Sequence, residues 1–221
     1  MIVTDKRNFT KGEEIFSAVT HIVGGGFSIL GTAVLIVLAV FTGNIIAIVA
    51  SAIYGSSLII LYSMSSIYHF LRFNRAKKVF RILDHCSIYF LIAGTYTPFC
   101  LISLHSFTIG VILFILVWAI AVLGIVLNSI NMRHKAVIIF SQISYLAMGW
   151  CVVLGIKPLI ESISLSCFAW LLAGGLMYTI GVIFFALSRK IKYFHSVWHF
   201  FVMAGSALQY VSVFMVVRNL L

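Results

Sequence analysis

Seven long runs of apolar residues fill most of the 221-residue sequence, and they constrain the fold more than any other feature. An α-helix needs about 20 mainly apolar residues to cross the hydrocarbon layer of a membrane. Only 9% of the residues are charged, against about 25% in an ordinary soluble domain. The runs predict seven transmembrane spans, at residues 19–41, 45–71, 80–104, 108–130, 136–157, 165–187 and 195–217.

These spans are predicted to be helices, because an isolated strand leaves its backbone N–H and C=O groups unsatisfied in lipid. The first apolar run is too long for the core of a cleavable signal peptide, so we expect it to remain as the first span. The sequence thus predicts an all-α integral membrane protein. Residues 1–18 would form a short cytoplasmic segment, and residues 19–221 a seven-transmembrane helix bundle.

Lysine and arginine are distributed unevenly between the two sides of the predicted bundle. Thirteen of the fifteen fall on the side of the N-terminus, and only Lys157 and Arg218 fall on the other. Because cytoplasmic connections carry the excess of basic residues, we expect the N-terminus in the cytoplasm and the C-terminus outside the cell membrane. This placement also accounts for the net charge of +10 without a nucleic-acid partner.

Four titratable residues lie at one depth on the predicted cytoplasmic side. His69 ends the second span, Asp84 lies near the start of the third, and His195 and His199 begin the seventh. The last two are four residues apart, which places them on one helix face. Titratable residues in a span are energetically costly, and their presence indicates function.

Three histidines and a carboxylate from three helices suit Zn²⁺, which in catalytic sites takes three protein ligands and leaves one position for water. We therefore predict His69, His195 and His199 as zinc ligands. Asp84 would contact the water or the second nitrogen of a ligand. Ser65, one turn deeper than His69 on the same face, would hydrogen-bond the water or the substrate.

The other polar and special residues have simpler interpretations. Pro98 is expected to kink the third helix. The single cysteines are expected to be small core or lipid-facing residues, and the glycines inside the spans to allow close helix packing. The remaining histidines are expected to be hydrogen-bonding groups outside the site, and they are His21, His85, His105 and His134.

These motifs resemble those of the hemolysin III family, the bacterial branch of the progestin and adipoQ receptor (PAQR) superfamily. The resemblance covers most of the chain. It rests on Glu14 with residues 20–24, on residues 65–69, on residues 84–98, and on residues 195–199 followed by Gly205 and Ser206. It implies seven helices, a cytoplasmic N-terminus and a zinc ion held by His69, His195 and His199, with Ser65 and Asp84 beside it.

Relatives of this family look like receptors with ceramidase-like lipid hydrolysis, and alkaline ceramidases are similar in site and topology. The first functional hypothesis is therefore a zinc-dependent hydrolase of a membrane lipid, acting at an amide bond in membrane lipid homeostasis. The alternative is a non-enzymatic homeostasis or sensor protein with structural zinc. A pore-forming cytolysin has the least support, because no stripe of charge along the spans would line a channel.

Overall fold

A computed structural model describes residues 9–71 and 75–221, and every regular element in these ranges is helical. The helices are α1 (Lys11–Phe41), α2 (Ile45–Phe70), α3 (Arg75–Pro98), α4 (Thr108–Asn131), α5 (Lys135–Trp150), α6 (Ile156–Ser162), α7 (Leu165–Leu187) and α8 (Phe194–Arg218). A 3₁₀ turn, Cys151–Gly155, joins α5 to α6 within one span. Within the described ranges, seven helical segments are long and apolar enough to cross a membrane, which confirms the predicted architecture.

The predicted orientation of the bundle stays a prediction, which labelling of the two termini from either side of the membrane would check. Three of the basic residues on which it rests, Lys6, Arg7 and Arg72, lie outside the described residues. The described helices keep the predicted alternation. The starts of α1, α3 and α8 and the end of α2 fall on the side that carries most of the lysine and arginine.

Helix α1 begins at Lys11, eight residues before the predicted start of the first span. A reciprocal capping box starts it. The Thr10 hydroxyl accepts a hydrogen bond from the Glu13 N–H, and the Glu13 carboxylate accepts one from the Thr10 N–H at 2.9 Å. These contacts satisfy N–H groups that the first turn of a helix leaves free. A polar turn therefore extends the helix beyond its apolar run.

The third helix changes type at its proline rather than ending there. Pro98 is the last residue of α3, and a π-helical segment, Phe99–Ser103, follows without a break. Proline has no N–H to donate, and π-helical segments accommodate such interruptions of the α-helical hydrogen-bond pattern. The predicted disturbance of the third helix is thus a local change in the helix type.

The start of α8 is fastened to the start of α1 by buried polar groups. The carboxylate of Glu13 accepts a hydrogen bond from the backbone N–H of Tyr193 at 2.8 Å, and the hydroxyls of Ser17 and Ser196 lie 3.0 Å apart. Tyr193 has a φ of 63°, so the chain turns sharply into α8 at this residue. Since α1 also packs along α2, it contacts both of the helices whose ends carry the histidines.

Close packing of α1 and α2 depends on Gly24. A Cβ atom at Gly24 would lie 2.7 Å from the ring of the buried Tyr62, whereas one at Gly26 would meet nothing within 4 Å. Small residues allow helices in membranes to approach in this way. The predicted packing role is therefore confirmed at Gly24, and Gly26 offers a matched comparison.

We expect Gly24→Ala to lower the free energy of unfolding by about 1–3 kcal/mol, the usual cost of overpacking a core. Gly26→Ala should instead raise it by up to about 1 kcal/mol, because alanine has the higher helix propensity. Both variants lose one helical glycine, so their difference isolates the contact with Tyr62. Thermal unfolding in detergent micelles measures it. Equal stabilities for the two variants would contradict the close packing of α1 on α2.

Candidate metal centre

Three imidazole side chains converge at one end of the bundle. Atom Nε2 of His195 lies 3.2 Å from Nε2 of His69 and 3.2 Å from Nε2 of His199. Ligand atoms of all three residues lie within 4.8 Å of one another. His69 is in the last turn of α2, and the other two occupy successive turns at the start of α8. The predicted meeting of these three histidines is confirmed.

Hydrogen bonds outside the cluster determine which nitrogen atoms carry protons. Atom Nδ1 of His199 donates to the carbonyl oxygen of Ser17 at 3.2 Å, and a carbonyl can only accept. Atom Nδ1 of His69 donates to the Glu14 carboxylate at 2.7 Å. A neutral imidazole with its proton on Nδ1 has a lone pair on Nε2. Two lone pairs therefore face Nε2 of His195, which can donate to only one of them.

A cation satisfies this arrangement, and the residues fit zinc. In a tetrahedral site with Zn–N bonds of about 2.0–2.1 Å, ligand nitrogens lie about 3.3–3.4 Å apart. Two of the observed separations are 3.2 Å, close to this value, and all three ligand atoms lie within 4.8 Å of one another. His69 and His199 are buried, so nothing but a neighbour or a ligand can use their lone pairs. The three histidines could therefore hold a metal ion.

Glu14 supports the cluster from α1, a role that the sequence reasoning missed. One carboxylate oxygen accepts the hydrogen bond from His69, and the other lies 2.7 Å from Nζ of Lys77 on α3. A carboxylate behind a ligating histidine fixes the orientation of the ring and raises its basicity. Placing the first span at residue 19 left Glu14 outside it. Glu14 lies in the polar first turn of α1, so a first span that began at Lys11 would have placed it among the polar residues on the side of the histidines.

The interpretation of His21 as a hydrogen-bonding group near a helix end is wrong. Its side chain is buried, with 3% of the residue exposed, and its ring stacks on that of His199 with centroids 3.7 Å apart and an interplanar angle of 17°. The ring also meets Tyr62 edge-on at 5.1 Å. Within the described residues neither ring nitrogen has a hydrogen-bond partner. The error arose because position along the helix does not show which face packs inward.

The other three histidines behave as predicted. His134 caps the N-terminus of α5 by accepting the Ala136 N–H, and His105 is exposed and bonds the carbonyl of Ile102. His85 bonds the carbonyl of Arg81, four residues before it on α3. They lie outside the three-histidine group.

Asp84 and Ser65 were predicted as catalytic residues, and that role stays a prediction. The Asp84 side chain is partly buried, and one of its oxygens lies 3.8 Å from Nδ1 of His85. Ser65 is buried one turn before His69 on α2. Asp84 is not one of the residues whose ligand atoms lie within 4.8 Å of one another.

Aromatic rings cover His195. Phe9 stacks on its imidazole with centroids 4.7 Å apart, and Phe185 of α7 lies 6.1 Å away. Atom Nδ1 of His195 is buried and has no hydrogen-bond partner among the described residues. The cluster is therefore shielded on the His195 side by carbon atoms, which strengthens electrostatic interactions inside it.

Comparisons with known proteins agree with this geometry. A family model described as "Haemolysin-III related" matches residues 9–210. "Hemolysin-3" of Bacillus cereus is 41% identical over 94% of this chain and 93% of its own length, and the "Hemolysin-3 homolog" of Bacillus subtilis (strain 168) is 40% identical over 91% and 93%. The human "Monocyte to macrophage differentiation factor" is 28% identical over 73% and 67%. The range matched by the family model includes the residues that build the three-histidine cluster.

We expect Glu14→Gln to weaken metal binding about tenfold, the lower end of the effect of losing a carboxylate behind a ligating histidine. The glutamine keeps the shape of the side chain but removes its charge. Competition with a chelator of known affinity measures the change. Glu161→Gln, an exposed change in α6, is the matched control and should leave the affinity unaltered. Equal metal affinities for Glu14→Gln and Glu161→Gln would show that Glu14 does not support metal binding.

Proposed function

This chain belongs to the hemolysin III family of multi-pass membrane proteins, and we propose that it is a zinc-dependent hydrolase of a lipid amide bond in the cell membrane. Its role would be in membrane lipid homeostasis. The observation that carries the proposal is the convergence of three histidine Nε2 atoms inside a membrane bundle. Catalytic zinc sites use three protein ligands and keep one position open, whereas purely structural sites use four.

Zinc is the metal that we assign to this centre. Imidazole nitrogens suit zinc, copper, iron and nickel, and the 3.2 Å separations fit a tetrahedral arrangement. In zinc sites a ligating histidine commonly donates its other ring N–H to a carboxylate, as His69 does to Glu14. Zinc bound in such a site makes water a nucleophile near neutral pH and polarises a carbonyl group.

The protein's own residues would supply the remaining chemistry. Asp84, partly buried near the start of α3, would accept a proton from the attacking water and return it to the leaving amine. The Ser65 hydroxyl, one turn deeper than His69, would position the water or the carbonyl oxygen of the substrate. Glu14 would hold the His69 ring in place.

A lipid is the substrate class that this location favours. The cluster lies within two turns of the ends of α2 and α8, close to where a lipid headgroup meets the acyl chains. The predicted orientation puts that end in the cytoplasm. A scissile amide near the headgroup would reach the centre while the acyl chains stay among apolar side chains.

Burial of the cluster favours one alternative, a non-enzymatic homeostasis or sensor protein with structural zinc. His69 and His199 are almost wholly buried, and the hydrogen bonds behind them tie α1, α2 and α8 together. In that case the metal would serve mainly to stabilise the bundle.

Asp84→Asn separates the two functions. For a hydrolase, we expect the variant to keep its metal and its unfolding temperature and to lose about 10²–10⁴-fold in lipid amide hydrolysis, the usual contribution of a general base. Purified protein in micelles, a ceramide substrate and quantification of released fatty acid provide the measurement. A protein stripped of metal is the control for background turnover.

Two outcomes would count against the hydrolase. If Asp84→Asn hydrolysed the lipid amide at the wild-type rate, Asp84 would not be the general base. A wild-type protein that releases no fatty acid from a panel of lipid amides, but unfolds at a much lower temperature without metal, would favour the structural alternative.

A further inference from the structure

We propose that His21 is a ligand-binding residue of the centre, which hydrogen-bonds the oxygen of a carboxylate lying beside the three histidines. The inference rests on the proposed metal centre but not on hydrolysis. Its starting observation is that both ring nitrogens of His21 are buried and have no hydrogen-bond partner among the described residues.

Such a group requires an explanation. Leaving a buried donor or acceptor unpaired is costly, and most buried polar side-chain atoms in folded proteins have a partner, either in the protein or in a bound molecule. The imidazole of His21 lies inside a helix bundle in which lipid offers no hydrogen bonds. A molecule bound within the bundle would supply the partner that the described residues do not.

The position of His21 indicates where that molecule lies. Its ring stacks on that of His199 at a centroid distance of 3.7 Å, and Ser17, one turn earlier on α1, receives the hydrogen bond from Nδ1 of His199. The same face of α1 thus carries both residues. His21 is not one of the residues whose ligand atoms lie within 4.8 Å of one another, so it adjoins the metal-binding group without belonging to it.

Packing alone does not account for a histidine at this position. A phenylalanine ring would stack on His199 and meet Tyr62 edge-on equally well, with no polar atoms to satisfy. Gly24, one turn further along α1, already provides the space that Tyr62 occupies. What the imidazole adds is one N–H donor and one acceptor.

A carboxylate is the ligand class that this combination fits best. One carboxylate oxygen can approach a cation held by three histidines while the other accepts the N–H of His21, a charge-assisted hydrogen bond of the stronger kind. A carboxylate could arrive from water or from the lipid phase. Acetate and dodecanoate carry the same group and represent the two sources.

Titration of the cobalt-loaded protein tests the inference. Cobalt(II) in a nitrogen site absorbs visible light, and its spectrum changes when a carboxylate enters. In detergent micelles we expect acetate, dodecanoate or both to change the wild-type spectrum. In His21→Phe the apparent dissociation constant should rise at least about tenfold, in keeping with a lost hydrogen bond to a charged group. The cobalt content should stay at the wild-type value.

Three further variants make the result specific. His21→Asn and His21→Gln each return an N–H donor near one of the two ring nitrogens, and one of them should recover part of the affinity. His105→Phe replaces an exposed histidine outside the cluster and should bind as the wild type does. The two carboxylates tell whether the ligand enters from water or from the lipid phase.

Several results would overturn the inference. One is an equal dissociation constant in wild type and His21→Phe, and another is a wild-type spectrum that neither carboxylate changes. Loss of cobalt from His21→Phe would make His21 a metal ligand instead. If His21→Phe does not fold, loss of carboxylate affinity in both His21→Asn and His21→Gln would equally count against a hydrogen-bonding role. Absence of lipid hydrolysis would leave the inference standing, because no step of the titration requires turnover.

Discussion

A buried imidazole inside a bilayer has no water to satisfy its nitrogens, and this constraint determines how α1, α2 and α8 meet. The Nδ1 atoms of His69 and His199 are satisfied by groups on α1, the Glu14 carboxylate and the Ser17 carbonyl. These bonds turn the Nε2 lone pairs towards His195. Three helices are thereby held in an arrangement that could bind a cation between the rings.

The contacts that orient the histidines also fasten the bundle. Glu14 links α1 to His69 of α2 and to Lys77 of α3, and hydrogen bonds to charged groups contribute about 1.5–3 kcal/mol each. Glu13 holds the turn into α8 through the N–H of Tyr193. The residues that support the candidate metal site therefore also support the packing of the helices. A catalytic metal and a structural metal would share the same supporting residues. Only a measurement of substrate turnover distinguishes the two roles.

The sequence predicted the bundle and the three-histidine cluster from the lengths of the apolar runs, the helical repeat and the distribution of basic residues. Apolar runs determine the spans, the helical repeat places His195 above His199, and the basic residues give His69 the same depth. Glu14 and His21 were missed for two physical reasons. A capped polar turn, Thr10 with Glu13, extends α1 beyond its apolar run. Which face of α1 turns inward depends on packing, here the contact between Gly24 and Tyr62.

The metal content of the purified protein tests the central claim most directly. Elemental analysis of the wild type, compared with His69→Ala, His195→Ala and His199→Ala, counts the ions per chain. The account predicts one zinc ion per wild-type chain and a loss of most of it in each variant, with about three nitrogen ligands visible by X-ray absorption. Wild-type protein that binds no stoichiometric zinc, or a His199→Ala variant that retains it fully, would contradict the account.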